Sequence, residues 1–587
     1  MVASPAQAGV HLAVALPFRR WIPAFAGNAV TLRRCPRNDS FCAMTGSLLT
    51  LLNAPDLAAF RAAGYWGEET LYALAAGHAR ATPDAFAVRD RQRRLTYRAL
   101  VEAADRLAAS LAGRGLGPGQ RVALWLPSRV ETAVALIASS RNGYVCCPSL
   151  HRGHTTGEVV ALIDRMRAAA FFAEPGYGAD SERHDIFAEL ADRDFLRWAW
   201  PIGPSDEAPF AELAGPTLAT PASKDPNQVM YLPFTSGTTG TPKGVLHSDN
   251  TLLATARRMA RDWALERRVL YTLSPLSHNL GLGALVTALA AGGELVVHDL
   301  PPGRSLIDRL AETGAEFLFG VPTHAIDLLG ELRARGQQQL GRVRGFRISG
   351  AAAPAAIVAE LMRYGIVPQS GYGMTETCSH QYTLPDDTPE QIVETCGRAC
   401  AGYQIRIWRE DNPDIPAMPG EIGEIGGKGA SLMLGYFDDQ EATEAAFNAE
   451  GWFMTGDLGS LDDQFYLRIT GRKKDVIIRG GRNIHPAHIE ALALRHPAVE
   501  KAAAFAVADP RLGERICLAV VTHANVPLKA QVLLEYLASN GLSKRDMPEF
   551  ILPLTEMPVT ASGKIIKREL MRWVAEGRAQ PQPVRGQ

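Results

Sequence analysis

The stretch FTSGTTGTPKGV, residues 234–245, packs three glycines, five Ser/Thr hydroxyls, one proline and one lysine between two apolar segments. Glycines let a backbone turn tightly and aim successive N–H groups into one concavity, which is how a loop cradles phosphate oxygens without a metal. The hydroxyls add hydrogen-bond donors and Lys243 adds a full positive charge. Lys243 is followed by Gly244 and no glycine stands directly before it, so the nucleotidase pattern GxxxxGK[ST] is not met. A flexible Gly/Ser/Thr linker would have similar composition without this regularity. The stretch reads as a phosphate-gripping loop that follows a short apolar strand.

Outward from the loop, helix-like and strand-like segments alternate. Helical spacing of apolar residues predicts helices over 95–111, 131–139 and 306–312, and short apolar runs predict strands over 122–126, 295–297 and 317–319. Such repeated βαβα order implies an α/β fold of parallel, doubly wound sheets, with ligands in loops at the carboxyl ends of strands. Beyond about residue 470 the style changes. TGRKKD (470–475) is a charged connector, and the rest of the chain has the size of a small α/β domain on a hinge. Strands are expected there over 502–507 and 517–521, and a helix over 529–538. The expected layout is a large domain over 44–470, a hinge over 471–475 and a small mobile domain over 476–587.

Residues 1–43 differ from this pattern. Arg19, Arg20, Arg33, Arg34 and Arg37 face one acid, Asp39, and Pro17, Pro23 and Pro36 interrupt any amphipathic helix of a transit peptide. The segment is expected to be an extension upstream of a functional chain that begins near Met44. Net charge is −1 over 587 residues, which excludes a global basic field for nucleic acid or an anionic membrane. Eight irregularly spaced cysteines do not form a disulfide scaffold, and no run of eighteen apolar residues appears, so a reducing cytoplasm is expected.

Five further segments carry chemistry. GYGMTE (371–376) sets an aromatic ring, a hydroxyl and a carboxylate on one short turn: Tyr372 for a flat base, Thr375 for a phosphate, Glu376 for Mg²⁺. WFMTGD (452–457) offers Asp457, which can accept from both hydroxyls of a ribose, and Arg472 can place a guanidinium on ribose or phosphate. PVTASGK ends in Lys564 and SPLSH ends in His278. Each alone is equally a turn, a cap or a surface charge.

Together and in this order, FTSGTTGTPKGV, YGMTE, TGD, GRKKD and PVTASGK closely resemble the adenylate-forming superfamily of acyl-CoA synthetases, aryl-acid ligases, luciferases and peptide-synthetase adenylation domains. The resemblance covers roughly residues 70–575. It implies that a carboxylate attacks the α-phosphorus of ATP to give acyl-AMP and pyrophosphate, and that a thiol, usually of CoA, then displaces AMP. By resemblance, Thr235, Ser236, Gly237, Thr238, Thr239, Gly240 and Lys243 grip the β- and γ-phosphates. Tyr372 stacks on adenine, with Gly350, Ala351 and Ala352 on its other side. Thr375 touches the α-phosphate, Glu376 binds Mg²⁺, and Asp457 with Arg472 holds the ribose. Lys564 bridges the attacking carboxylate and the α-phosphate, and His278 borders the acyl pocket. Lys474 stands at the pivot of a small domain that swings between the two steps, and Gly480 and Gly481 face the pantetheine arm of CoA. Two departures stand out: Arg482 follows the glycine pair, where many relatives carry an acidic or other residue, and His488 stands where a glutamate is common.

HSDNTLL, IIRGGRNI and LGYFDD look most like CoA ligases for alicyclic, aromatic or medium-chain acids, cyclohexanecarboxylate–CoA ligases above all. The acyl pocket is expected from 278–283, 321–323 and the stretch after Ser349. Phe346-Arg-Ile-Ser349 is read as a small, mainly apolar floor. The alternatives are an aryl-acid adenylating enzyme that loads a carrier protein in trans, and a non-catalytic homologue.

Overall fold

The computed structural model describes residues 29–32, 48–203, 208–211, 213, 221–235, 242–301, 303–350, 353–523, 526–559 and 565–584. Two mixed sheets form the large domain. The first runs Phe234–Thr235, Lys243–Ser248, Val229–Tyr231, Val145–Cys147, Arg121–Trp125, Ala170–Ala173 and Trp198–Pro201, in spatial order. The second has nine strands, with a parallel centre of Val367–Met374, Gly345–Ser349, Phe317–Gly320, Val269–Thr272 and Glu294–Val297. Helices Tyr97–Gly113, Val130–Asn142 and Leu306–Thr313 stand where the apolar spacing predicts them. One apolar core joins both sheets through Leu107, Leu136, Leu253, Leu285, Tyr231 and Leu270, all fully buried.

Local chemistry starts and stops these elements. Ser248 begins helix Asp249–Asp262 by accepting from Thr251 N–H, while Thr251 Oγ1 accepts from Ser248 N–H. Gly143, with φ +69°, ends Val130–Asn142 in the left-handed conformation that glycine tolerates best.

Three features depart from the sequence reading. The strands that flank the phosphate loop pair antiparallel, Phe234 with Gly244 and Thr235 with Lys243, rather than following the parallel order read from the sequence. Tyr403–Trp408, Gly423–Gly429, Phe453–Leu461 and Leu467–Arg472 form a four-stranded antiparallel sheet outside the βαβ pattern. Before the first helix, Ala29–Leu32 pairs antiparallel with Leu48–Asn53; the rest of the expected extension, 1–28 and 33–43, lies outside the described residues.

The small domain has its own sheet, in which Val499–Asp509 and Gly513–Thr522 pair antiparallel and Phe550–Pro553 adds a parallel strand. Helix Ala530–Ser539 stands where expected.

Candidate active site

Strands Gly345–Ser349 and Val367–Met374 run parallel, with Ser349 opposite Gly371. They therefore bring Gly350 (φ +90°) and Tyr372 to neighbouring positions toward the carboxyl ends of these strands. Tyr372 donates its hydroxyl to Asp457 Oδ2 at 2.8 Å. Burial holds the Tyr372 phenol well above its ordinary pKa, so it stays a donor. Asp457 Oδ1 lies 3.0 Å from Arg472 Nε, and the two residues are opposite partners in the antiparallel sheet. Residues from the YGMTE, TGD and GRKKD segments thus form one continuous chain of contacts.

Glu376 is buried at the end of the same turn and accepts from Tyr436 Oη at 3.0 Å. Burial raises its carboxyl above the ordinary value, while the Tyr436 hydrogen bond and the charge of Lys243 pull it down. Lys243 Nζ stands 4.6 Å from the centroid of the Tyr436 ring, a cation–π contact. Tyr436 therefore joins the loop lysine to the carboxylate. Ser236, Gly237, Thr238, Thr239, Gly240, Ala351, Ala352 and Lys564 lie outside the described residues. Thr235 is described, and its Oγ1 donates to Lys243 O at 3.4 Å.

His247 is a site residue that sequence reasoning missed. Its Nε2 meets the carbonyl of Thr375 at 2.7 Å and its Nδ1 meets Thr251 Oγ1 at 3.0 Å. A carbonyl only accepts, so Nε2 carries the proton. Burial lowers the pKa to about 4, which keeps the ring neutral. The strand leaving the phosphate loop is thereby tied to the turn that holds Thr375 and Glu376. His247 and Tyr436 lie within HSDNTLL and LGYFDD, which were read for resemblance alone and not for the contacts these two residues make.

His278 precedes helix Asn279–Ala291, and its ring stacks on His151 with centroids 4.1 Å apart and planes 16° apart. His151 Nδ1 also meets Ser277 Oγ at 3.0 Å. Burial, then His278 and His154, lower the His151 pKa to about 2, so it remains neutral. Asn279 Nδ2 donates to Met374 O at 3.3 Å and couples the helix start to the YGMTE turn.

Next to this junction a small cavity of about 20 Å³ opens between helices Asp249–Asp262 and Asn279–Ala291 and strand Cys378–Tyr382. Asn279, Leu282, Gly283, Met259, Cys378 and Ser379 line it. Of the residues expected to form an acyl pocket, Asn279, Leu282 and Gly283 line this cavity, whereas His278 and 321–323 do not. The apolar-floor reading of 346–349 needs correction. Alternation along the strand sends Phe346 and Ile348 into the apolar cluster on the other face, and sends Arg347 toward Met259. A wider surface groove of about 820 Å³, flanked by Met418 and Phe465, shares no residue with this group.

In the small domain, Gly480 and Gly481 are the turn of a tight hairpin, with φ of +56° and +81° and Arg479 opposite Arg482. The turn itself requires both glycines. Arg482 is held 3.2 Å from Asp546. Lys473 reaches Glu424 at 2.7 Å, and Asn483 Nδ2 donates to Glu410 at 3.1 Å, so both bridge to the antiparallel sheet region.

Residues 76–437 match the family described as AMP-binding enzyme, and residues 488–564 match the AMP-binding enzyme C-terminal domain. The chain is 32% identical to a medium-chain fatty-acid–CoA ligase of Escherichia coli (strain K12), over 88% of this chain and 93% of that one. It is 29% identical to enterobactin synthase component E of the same organism, over 88% of this chain and 96% of the other. Among solved structures, ATP-bound MatB from Rhodopseudomonas palustris superposes with a TM-score of 0.77 at 26% identity, covering 86% of this chain and 99% of that one.

Proposed function

Because this chain belongs to the family of AMP-binding enzymes, we propose that it is an ATP-dependent carboxylate–CoA ligase that acts through acyl-AMP on an alicyclic, aromatic or medium-chain acid. It is an AMP-forming acid–thiol ligase, with ATP and CoA as co-substrates. The observation that carries the residue assignment is the chain Tyr372–Asp457–Arg472. A carboxylate has roughly four lone-pair positions. Tyr372 and Arg472 each take one on Asp457, which leaves acceptors for two ribose hydroxyls beside a ring face for adenine.

In the first step a carboxylate oxygen bonds to the α-phosphorus, the bond from that phosphorus to the bridging β-phosphate oxygen breaks, and pyrophosphate leaves. Negative charge concentrates in that transition state, so fixed cations and donors dominate its stabilisation. Lys243, Thr235 and the loop between them hold the leaving pyrophosphate. Thr375, braced by His247, holds the α-phosphate. Lys564 pairs with the attacking carboxylate and the α-phosphate. In the second step the thiol sulfur bonds to the acyl carbon, the bond to the AMP oxygen breaks, and the thiol proton goes to solvent.

Glu376 fits Mg²⁺. Among the described residues no group of three or more His, Cys, Asp or Glu is placed to hold a metal, and a lone buried carboxylate suits an ion that keeps phosphate and water as its other ligands. Glu376 would hold Mg²⁺ there, and the ion would supply charge neutralisation to the phosphates. The six described cysteines are all free, and no helix among the described residues is long and apolar enough to cross a membrane.

ATP–pyrophosphate exchange with benzoate, cyclohexanecarboxylate, octanoate and longer acids, followed by CoA consumption, tests the reading. Exchange with at least one acid, and its conversion to a thioester by CoA, is expected. Absence of exchange with every acid, monocarboxylic or dicarboxylic, refutes the ligase assignment; exchange without discharge by CoA redirects it to a carrier-protein acceptor.

A further inference from the structure

Arg347 is fully buried. Its Nη1 donates to Gln369 Oε1 at 2.6 Å and touches Met259 Sδ at 3.7 Å. Among the described residues, Nε and Nη2 have no hydrogen-bond partner, and neither has Gln369 Nε2. All of these unmatched groups are donors, so the vacant partner is an acceptor.

Among the described residues, none supplies an anion to this guanidinium. Asp262 is engaged by Arg258 at 2.7 Å and by the Tyr382 hydroxyl at 2.9 Å. Burial pushes the Cys396 and Cys400 thiols up to about 12, so neither is a thiolate at neutral pH. The Tyr382 ring, 5.7 Å from Arg347 Cζ, offers a π face alone. Desolvation draws the Arg347 pKa down to about 10, which leaves it charged at neutral pH. A buried charge without a partner is strongly disfavoured, and a guanidinium is shaped to take a carboxylate in two parallel hydrogen bonds.

The position of Arg347 connects this vacancy to the cavity. It touches Met259, a wall residue of that cavity, and Gly371 on the neighbouring strand has no side chain: a Cβ there would stand 2.6 Å from Nη2. The cavity, at about 20 Å³, has room for one water-sized group. Met259, an unbranched thioether, is the wall most able to change rotamer for a longer ligand.

We propose that Arg347 anchors a second carboxylate at the far end of the acyl group, so that the acids this enzyme activates are dicarboxylic. This rests on reading the cavity as the acyl site. One carboxylate faces the nucleotide and the other pairs with Arg347 and Gln369, behind Met259.

Pyrophosphate exchange with matched pairs decides it: butyrate against succinate, hexanoate against adipate, benzoate against its carboxyl-substituted counterparts. At least one diacid is expected to exceed its monoacid partner by about tenfold or more in kcat/KM, the discrimination typical of a buried donor set left unpaired by the wrong ligand. Arg347→Met is expected to lower that diacid-to-monoacid ratio at least about tenfold, and Arg347→Lys, which keeps charge but loses the fork, to lower it less. If every monoacid matches or exceeds its diacid in the wild-type enzyme, the proposal fails while the ligase reading stands. If no acid of either kind drives exchange, both fail. The wild-type ratio decides the question even where Arg347→Met does not fold.

Discussion

Glu376 holds a charge that its surroundings disfavour. Burial places its folded-state carboxyl above the ordinary carboxylate value. Such a group binds protons more tightly folded than unfolded, so stability falls as pH rises from the ordinary value through the folded one, and stays reduced above it. Glu376→Gln keeps an oxygen for Tyr436 and removes the charge. It should raise Tm above neutral pH by roughly 2 °C and lower Mg²⁺-dependent exchange by about 100-fold. A lower Tm in calorimetry would show that Lys243 and Tyr436 more than offset the burial cost. Lys564→Ala probes the other end of the reaction. It should reduce adenylation by about 100-fold or more, yet supplied acyl-AMP and CoA should still give thioester. An equal fall in both half-reactions would remove Lys564 from the first step. At this scale Tyr372, Glu376 and Asp457 stood out through the order of their motifs along the chain, and the structure adds the contacts Tyr372–Asp457 and Tyr436–Glu376. His247, His151 and Tyr436 did not stand out, since each acts through a neighbour distant in sequence.

The turn between Val367–Met374 and Cys378–Tyr382 is where one element controls several site residues. A Cβ on Gly373 would lie 1.9 Å from Cys378 O, a backbone atom that cannot move aside without opening the hairpin. Gly373→Ala should destabilise the protein by roughly 1–3 kcal/mol and weaken ATP use, since Tyr372 and Glu376 flank the displaced backbone. Thermal melting and the KM for ATP check this; an unchanged KM alongside a lower Tm would separate the turn from nucleotide binding. The central strands were readable from short apolar runs between helical stretches. The glycine-rich strand Gly423–Gly429 was not, because its glycines make room for partners elsewhere: a Cβ on Gly426 would meet Trp408 Nε1 at 2.3 Å. The antiparallel return of the phosphate loop escaped notice for a related reason, since an apolar run does not say which way its neighbour points.

Among the described residues, the small domain packs around cores of its own. Residues such as Ile477, Ile489, Leu518 and Leu533 pack in clusters confined to the small domain, apart from the core that joins the two large sheets. A unit with its own core can move as a body. The connector is suited to bending: Gly471 has φ +151° and Lys473–Asp475 is a short 3₁₀ turn. Lys474→Pro fixes one φ of that turn and removes an N–H. If the small domain swings about Lys474 between half-reactions, exchange should change by less than about threefold while complete thioester synthesis falls by about tenfold or more. Stopped-flow separation of the two steps tests this, and equal losses would exclude Lys474 as the pivot. The sequence by itself determined the reaction class and the division into two α/β units, because phosphate loops, carboxylates on turns and apolar periodicity are local properties. Only the tertiary structure decided what those residues touch. Arg347 shows why: between Phe346 and Ile348 it reads as part of an apolar strand, and only the packing of helix Asp249–Asp262 over that face leaves its charge buried beside the cavity with no anion among the described residues.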